Sequence, residues 1–382
     1  MIADRAYLSG ARIGGGLQRL EAEVARILTA LGATGAMRVE PAALQPADVL
    51  LDLYGEDVRA RAFVTGDDGA EMMLRPDFTV PIVRLHMDAG AETARYVYCG
   101  PVWRRQDAGS DRPREFLQAG FEVFEAGDPA AGDAEVLALI LDALGGAPVE
   151  VVTGDLGLVL AAIDALETSA SRKAALRRHV WRPARFHALL HRFGDGHAAA
   201  QASRAELLAA QARGDVPALV AAAGAAVGLR AAEEVEARAA HLAAEAATPP
   251  LAPDQVEGLE AVLAVEGSAT EALDALAALA RRFAGLDAAV GRHAARLDAL
   301  AGHGVAADGL RFEGSFGRTT LEYYDGFVFG ALPRGRADLP PIASGGRYDA
   351  LTRVLGRGRS IPAVGGIVRP EALLALGGGA WA

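Results

Sequence analysis

Residues 104–124 read RRQDAGSDRPREFLQAGFEVF. The stretch AGFEVF at 119–124 is rich in strand formers, as is RYVYC at 95–99. Between them lies a loop too long for a tight two-residue turn. The spacing predicts two strands joined by a loop that carries Arg104, Arg105, Arg112 and Arg114 around an Asp-Ala-Gly-Ser turn. Arginine's planar fork suits bidentate contact with a carboxylate or phosphate. The alternative is a solvated loop whose arginines pair with Asp107, Asp111 and Glu115.

Working outward, Leu17, Leu20, Val24, Ile27, Leu28 and Leu31 recur at helical spacing, with Gly32 where a helix cap prefers glycine. RAFVTGDDGAEMML at 61–74 reads as a hairpin turning at its GDDG centre. From about 171 to 284 the composition shifts to Ala, Leu, Arg and Glu in helical patterns, broken by TPPLAPD at 248–254. Strand character returns in LRFEGSFGRTTLEYYDGFVFGA at 310–331, where Asp325-Gly326 predicts a two-residue turn between Leu321–Tyr324 and Phe327–Phe329. Hairpins at both ends around a helical block imply an α+β fold, a mostly antiparallel sheet backed by helices. No GxGxxG follows a strand and no GxxxxGK[ST] occurs, so dinucleotide and P-loop readings have no support.

The 382 residues suit one large core plus an inserted or appended smaller domain. Lys plus Arg total 38 against 49 Asp plus Glu, a formal net charge of −11. That balance argues against a surface built to neutralise nucleic-acid phosphates, while leaving room for a local basic site. There is no run of about eighteen apolar residues, and MIADRAYLSGARIGGG lacks the layout of a secretory signal, so the expected location is cytoplasmic with no membrane partner. Cys99 stands alone and reads as a buried strand residue.

His187 and His191 lie four apart in FHALLHRF, on one helix face, but Ala188 stands where a zinc protease helix has glutamate. No metal is expected. Tyr323, Tyr324 and Tyr348 are hydroxyl donors for a pocket rim or packing residues with a polar tip. Gly345-Gly346 before Arg347-Tyr348 suggests a close approach by a ligand or by a neighbouring strand.

Taken together, LRPDFT at 74–79, GPVWRRQDAGSDRPREFLQAGFE at 100–122, TLEYY at 320–324 and SGGRYDAL at 344–351 resemble the catalytic domain of histidyl-tRNA synthetase, a class II aminoacyl-tRNA synthetase. The resemblance implies an antiparallel sheet flanked by helices, a dimer, and a helical insertion after the second motif. It puts Asp77 where the family's acid takes the histidine α-amino group, with Thr79 beside it. Gln118, Tyr324 and Tyr348 fall on positions lining the amino-acid pocket, and Arg104 on the arginine that meets the carboxylate or α-phosphate. The resemblance thus implies a histidine-binding set of Asp77, Thr79, Arg104, Gln118, Tyr324 and Tyr348.

The activating machinery departs from the family. Thr319 aligns with an arginine, and Arg318, one residue away in a strand, would face the other side. Gln106 replaces a glutamate that helps hold ATP, and Ala372 replaces the arginine that meets the γ-phosphate. Losing cations at developing charge costs orders of magnitude in rate, which argues against adenylation. The chain also ends soon after this position, leaving no room for an anticodon-binding domain or a tRNA partner. A synthetase-like core with these losses resembles the regulatory subunits of ATP phosphoribosyltransferase. The resemblance then implies a non-catalytic subunit without a cofactor. It would serve a short-form catalytic subunit at the first step of histidine biosynthesis, relay histidine feedback, and form a homodimer within a hetero-oligomer. The expected organisation is a discontinuous core, 1–170 and 285–382, with the helical insertion at 171–284. The alternatives are a truncated histidine-activating enzyme and a structural partner with an empty pocket.

Overall fold

The computed structural model describes residues 11–47, 60–67, 69–107, 109–110, 112–125, 127–222, 231–283, 285–319 and 323–378. Helix α1 (Gly14–Gly32) buries Leu20, Ile27 and Leu31, the inward stripe of the 3.6-residue pattern. It runs through Gly32, and the left-handed backbone falls later, at Gly35 (φ 76°). Strands β1 (Met37–Arg38), β2 (Leu44–Pro46), β3 (Val64–Asp67) and β4 (Ala70–Leu74) precede α2 (Thr79–Ala89). Then come β5 (Ala94–Trp103), β6 (Glu115–Phe124), α3 (Pro129–Ala143), β7 (Val149–Asp155) and α4 (Leu156–Ala165).

A helical stretch follows: α5 (Ala170–Arg178), α6 (Pro183–Phe193), α7 (His197–Ala202), α8 (Ala205–Arg213), α9 (Val216–Ala222), α10 (Ala232–Ala247) and α11 (Pro253–Leu263). The chain returns through β8 (Glu266–Ser268), α12 (Ala269–Ala280), α13 (Asp287–Gly302), β9 (Arg311–Glu313), β10 (Phe327–Pro333) and β11 (Ala343–Arg347). It closes with α14 (Asp349–Leu355), β12 (Ala363–Val368) and α15 (Pro370–Leu376).

Nine strands form the main sheet in the order β1-β5-β6-β12-β11-β10-β7-β9-β8. Its interior pairs are antiparallel, whereas β1 joins β5 and β9 joins β7 in parallel, so the sheet is mixed and not uniformly antiparallel. The β5–β6 ladder runs from Ala94↔Phe124 to Trp103↔Glu115. The arginine loop therefore interrupts the chain without disturbing the register. The GDDG hairpin also forms, as β3 and β4 within a small sheet ordered β2-β4-β3.

Side-chain alternation divides the core in two. Tyr96, Tyr98 and Phe124 face one layer, and Val97, Phe121 and Val123 the other. Phe186, Leu190 and Phe193 of α6 belong to the first layer, while Ala210, Val216 and Ala239 make a small cluster of their own. Within the expected helical stretch 171–284, β8 is the exception, because Glu266–Ser268 pairs with β9 at the sheet edge. No helix among the described residues is long and apolar enough to cross a membrane.

The Asp325-Gly326 turn differs from expectation. Strand β10 pairs with β7 and β11, and the segment before it is turn and coil up to Thr319 and at Tyr323–Tyr324. Leu321 and Glu322 lie outside the described residues. The Asp325 carboxylate accepts from the Asp349 and Ala350 amides at 3.0 and 2.6 Å, so it caps α14 and turns the chain away from a hairpin.

Below the sheet, Arg296 of α13 donates to Asp133 of α3 (2.9 Å) and to Asp155 at the end of β7 (2.7 Å). Arg347 of β11 reaches the other oxygen of Asp133 (2.9 Å) and Asp349 (3.0 Å). All but Asp349 are buried. Removing one partner from such a cluster strands charge away from water, so Arg296→Met should cost about 3–5 kcal/mol of unfolding free energy. Urea denaturation checks this; a midpoint matching the wild type would show the cluster to be dispensable.

Candidate functional site

The centre of the sheet is paved with glycine. Gly345 pairs with Gly366 and Gly346 with Gly365. A Cβ on Gly345 would stand 2.4 Å from the Phe329 ring, and one on Gly365 would stand 1.5 Å from Glu122 Oε2. Gly345, Gly365 and Gly366 line a cavity of about 330 Å³.

Five of the six expected residues line that cavity: Asp77, Thr79, Arg104, Gln118 and Tyr324. Asp77 is buried and accepts the Tyr323 hydroxyl at 3.2 Å. Gln118, from β6, is 2% exposed, and among the described residues its Oε1 has no hydrogen-bond partner. A buried carbonyl oxygen without a donor is costly, and here it lies in the cavity wall, ready for a ligand N–H. Arg104 donates through Nε to the Pro76 carbonyl at 2.9 Å, which fixes its guanidinium at the mouth.

Tyr348 is the sixth, and it does not line the cavity. Its hydroxyl donates to Glu122 Oε2 at 2.5 Å, on the same face of the sheet as Gln118. Glu122 also accepts from Thr79 Oγ1 and the Tyr98 hydroxyl, both at 2.9 Å on Oε1. Burial pushes the Glu122 carboxyl up to about 7, with Asp77 adding to the rise, while the three hydroxyls pull it back. Burial, followed by the charges of Glu122 and Asp77, raises the Tyr324 phenol too, so it stays protonated and available as a donor.

The sequence reading missed Glu122, Arg61 and Arg369. Glu122 stands four positions after Gln118 in a strand, hence on the same face, and that parity was its available signal. Arg369 follows β12 and lines the cavity with Arg61 and Arg104. Burial works against its positive charge, and so do Arg104 and Arg112. A guanidinium stays protonated under such pressure, so the mouth holds concentrated positive charge. A second cavity of about 460 Å³ shares Arg61, Arg104 and Arg369 and continues past Gln106, Arg112, Phe116 and Ala372.

Arg318 and Thr319 lie in a turn and not in the expected strand, yet their side chains go to different places. Thr319 lines the cavity, whereas Arg318 is buried, donates to the Val180 carbonyl (2.8 Å) and lies over the Phe186 ring. Ala372 is buried in the opposite core layer. In the arginine loop, Ser110 N donates to the Asp107 carbonyl and Gly109 has φ 84°, which gives the predicted turn; Ala108 and Asp111 lie outside the described residues. His191 pairs with Asp195 on the exposed side of α6.

The histidyl-tRNA synthetase family model matches residues 16–249 and 237–373. An ATP phosphoribosyltransferase regulatory subunit from Brucella canis is 35% identical over 379 residues, covering 91% of this chain and 95% of that protein. The chain belongs to that family. The Brucella ovis member is 34% identical over the same shares. Among solved structures, an ATP phosphoribosyltransferase regulatory subunit/histidyl-tRNA synthetase from Bacillus halodurans shares the fold with a TM-score of 0.66 at 20% identity, covering 96% of this chain and 81% of its own. A histidine–tRNA ligase subunit from Alicyclobacillus acidocaldarius gives 0.56 at 24% identity, over 97% and 96%. The class II synthetase-like fold is thereby shared across regulatory subunits and synthetases.

Glu122 supplies a pH test. Its carboxyl titrates near 7 in the folded chain against about 4.3 in an unfolded one, so the folded state holds the proton more tightly between those values. That contribution is complete below about pH 4 and is lost as pH rises through 7. Glu122→Gln removes the titration. Between pH 5 and 8 its stability relative to wild type should improve by on the order of 2 to 3 kcal/mol. Parallel stability-versus-pH curves for the two proteins would show that Glu122 does not titrate in this range.

Proposed function

We propose that this chain is the non-catalytic regulatory subunit of an ATP phosphoribosyltransferase, required by a short-form catalytic subunit, and that its cavity binds histidine as the feedback effector. The relatives' names support the partnership. The observation that carries the effector reading is the cavity wall itself, with the Asp77 carboxylate and unpartnered Gln118 Oε1 on one side and Arg104 and Arg369 at the mouth. An amino-acid zwitterion needs an acceptor for its ammonium and a cation for its carboxylate, and both lie within one small cavity. Tyr323 and Tyr324 add hydroxyls for an imidazole.

Thr319 in the wall and Ala372 in the core favour binding without activation, since neither can stabilise charge developing on phosphate. In this reading the core 1–170 and 285–382 carries the pocket, two copies pair, and the assembly is cytoplasmic and independent of tRNA. Feedback then requires histidine to bind the inhibited assembly more tightly than the active one; equal affinity would shift nothing.

Two measurements test this. Phosphoribosyl-ATP formation by a short-form catalytic subunit should rise when this chain is added and fall again along a histidine titration; a rate indifferent to the chain would remove the regulatory reading. In calorimetry, Asp77→Asn should weaken histidine binding by about tenfold to a hundredfold, the worth of one charged hydrogen bond. Unaltered affinity would place histidine elsewhere, and histidine-dependent pyrophosphate exchange would favour an activating enzyme instead.

A further inference from the structure

Phe316 and Thr319 line the cavity from a turn at residues 314–319, between β9 and β10. The sheet seats this turn. Gly154 of β7 and Gly330 of β10 leave the room that Phe316 takes, since a Cβ on them would stand 2.9 and 3.0 Å from its side chain. Gly317 has φ 89°, and a Cβ there would stand 2.7 Å from a Val328 methyl carbon. The helical insertion holds the same turn at two points. Gly314 donates to the Val265 carbonyl at 2.8 Å and lies so near the end of α11 that no Cβ would fit beside the Val262 carbonyl oxygen. Arg318 donates through Nε to the Val180 carbonyl, between α5 and α6, at 2.8 Å, and its guanidinium carbon stands 4.7 Å from the centre of the Phe186 ring.

Arg318 is an expensive residue for this place. It is 2% exposed, and among the described residues it has no carboxylate partner and its Nη2 has no hydrogen-bond partner. Burial works against its charge. An unbranched apolar side chain would fill the same space without that penalty. What the arginine adds is direction, because a carbonyl bond and a ring face together fix where residue 318 stands against the insertion. Thr319 is the next residue, so the cavity wall is fixed with it. The insertion is tied together beyond this contact. Arg172 of α5 lies 4.9 Å over the Phe193 ring at the end of α6 and donates to the Glu245, Thr248 and Pro249 carbonyls at and just after the end of α10. Leu251 N donates to the Phe193 carbonyl at 2.8 Å. Contacts therefore run without a break from the cavity wall to the end of α10, although no residue of 171–284 lines the cavity among those described.

We propose that Arg318 is a positioning residue for the histidine pocket: it seats the Phe316–Thr319 wall against the helical insertion and thereby couples occupancy of the pocket to the packing of α5 and α6. The assignment rests on the histidine reading above. Coupling between two sites is reciprocal, so an insertion that restrains the wall is itself restrained when histidine fills the pocket.

Calorimetric histidine binding and hydrogen–deuterium exchange on the full chain test this. In wild type, saturating histidine should slow amide exchange at Tyr323 and Tyr324 and also across residues 179–193. Arg318→Met should weaken histidine binding by about threefold to thirtyfold. At saturating histidine it should lose the slowing at 179–193 while keeping that at Tyr323 and Tyr324. Phe186→Leu keeps the carbonyl bond and removes the ring; it should act in the same direction to a smaller degree, and it decides the question where the methionine variant does not fold, as thermal midpoints report. A role in packing alone would lower the midpoint yet leave the response of 179–193 to histidine in place, and that result overturns the proposal. An insertion indifferent to histidine in wild type also overturns it, while calorimetric binding keeps the histidine reading standing. A wild-type chain that does not bind histidine overturns both.

Discussion

A carboxylate buried against the middle of a sheet imposes two demands: hydroxyl donors on its oxygens and empty space where a neighbouring strand would place a side chain. Around Glu122 these demands are met from four separate parts of the chain. Thr79 comes from the start of α2, Tyr98 from β5, Tyr348 from just after β11, and the empty space from Gly365 of β12. The pocket follows from this arrangement. Gly365 leaves room for the acid, Thr79 is drawn in beside Asp77, and Gln118 projects on the same face as Glu122 with no partner for its carbonyl oxygen among the described residues.

The opposite side of the sheet is held by charge. Asp133 receives both Arg296 and Arg347, which ties α3 and α13 to the end of β11, next to Tyr348. A buried ionic cluster is weak evidence for net stability, but its geometry is directional in a way that apolar packing is not. It fixes where β11 ends, and therefore where the tyrosine that holds Glu122 stands. Asp325 extends the same logic by capping α14 from the far side of the pocket.

Local patterns were legible in the sequence where the determining interactions are local. The α1 stripe, the GDDG hairpin and the two strands around the arginine loop depend on periodicity and turn chemistry within a few residues. The Asp325-Gly326 turn was misread because its carboxylate finds amides 24 and 25 positions away. Strand β8 was missed because three residues flanked by helices carry too short an alternation to register. At the site, motif resemblance identified five of the residues that line the wall. It also included Tyr348, which reaches Glu122 and does not line the cavity, and it did not include Arg369, which does. The ionic cluster draws on positions 133, 155, 296 and 347, a long-range assembly with no local signature.

The contact between Gly365 and Glu122 also has a consequence for how the sequence can change. The space that one position lacks is occupied by the carboxylate of the other, so the two sites are not independently variable. Truncating Glu122 first would open room for a methyl group at 365, whereas the reverse order passes through an intermediate in which both cannot fit. Drift through this part of the chain is therefore ordered: the loss of the buried acid has to come before the floor can acquire side chains. A lineage that retained the acid would keep its glycine even if the cavity above had ceased to bind anything.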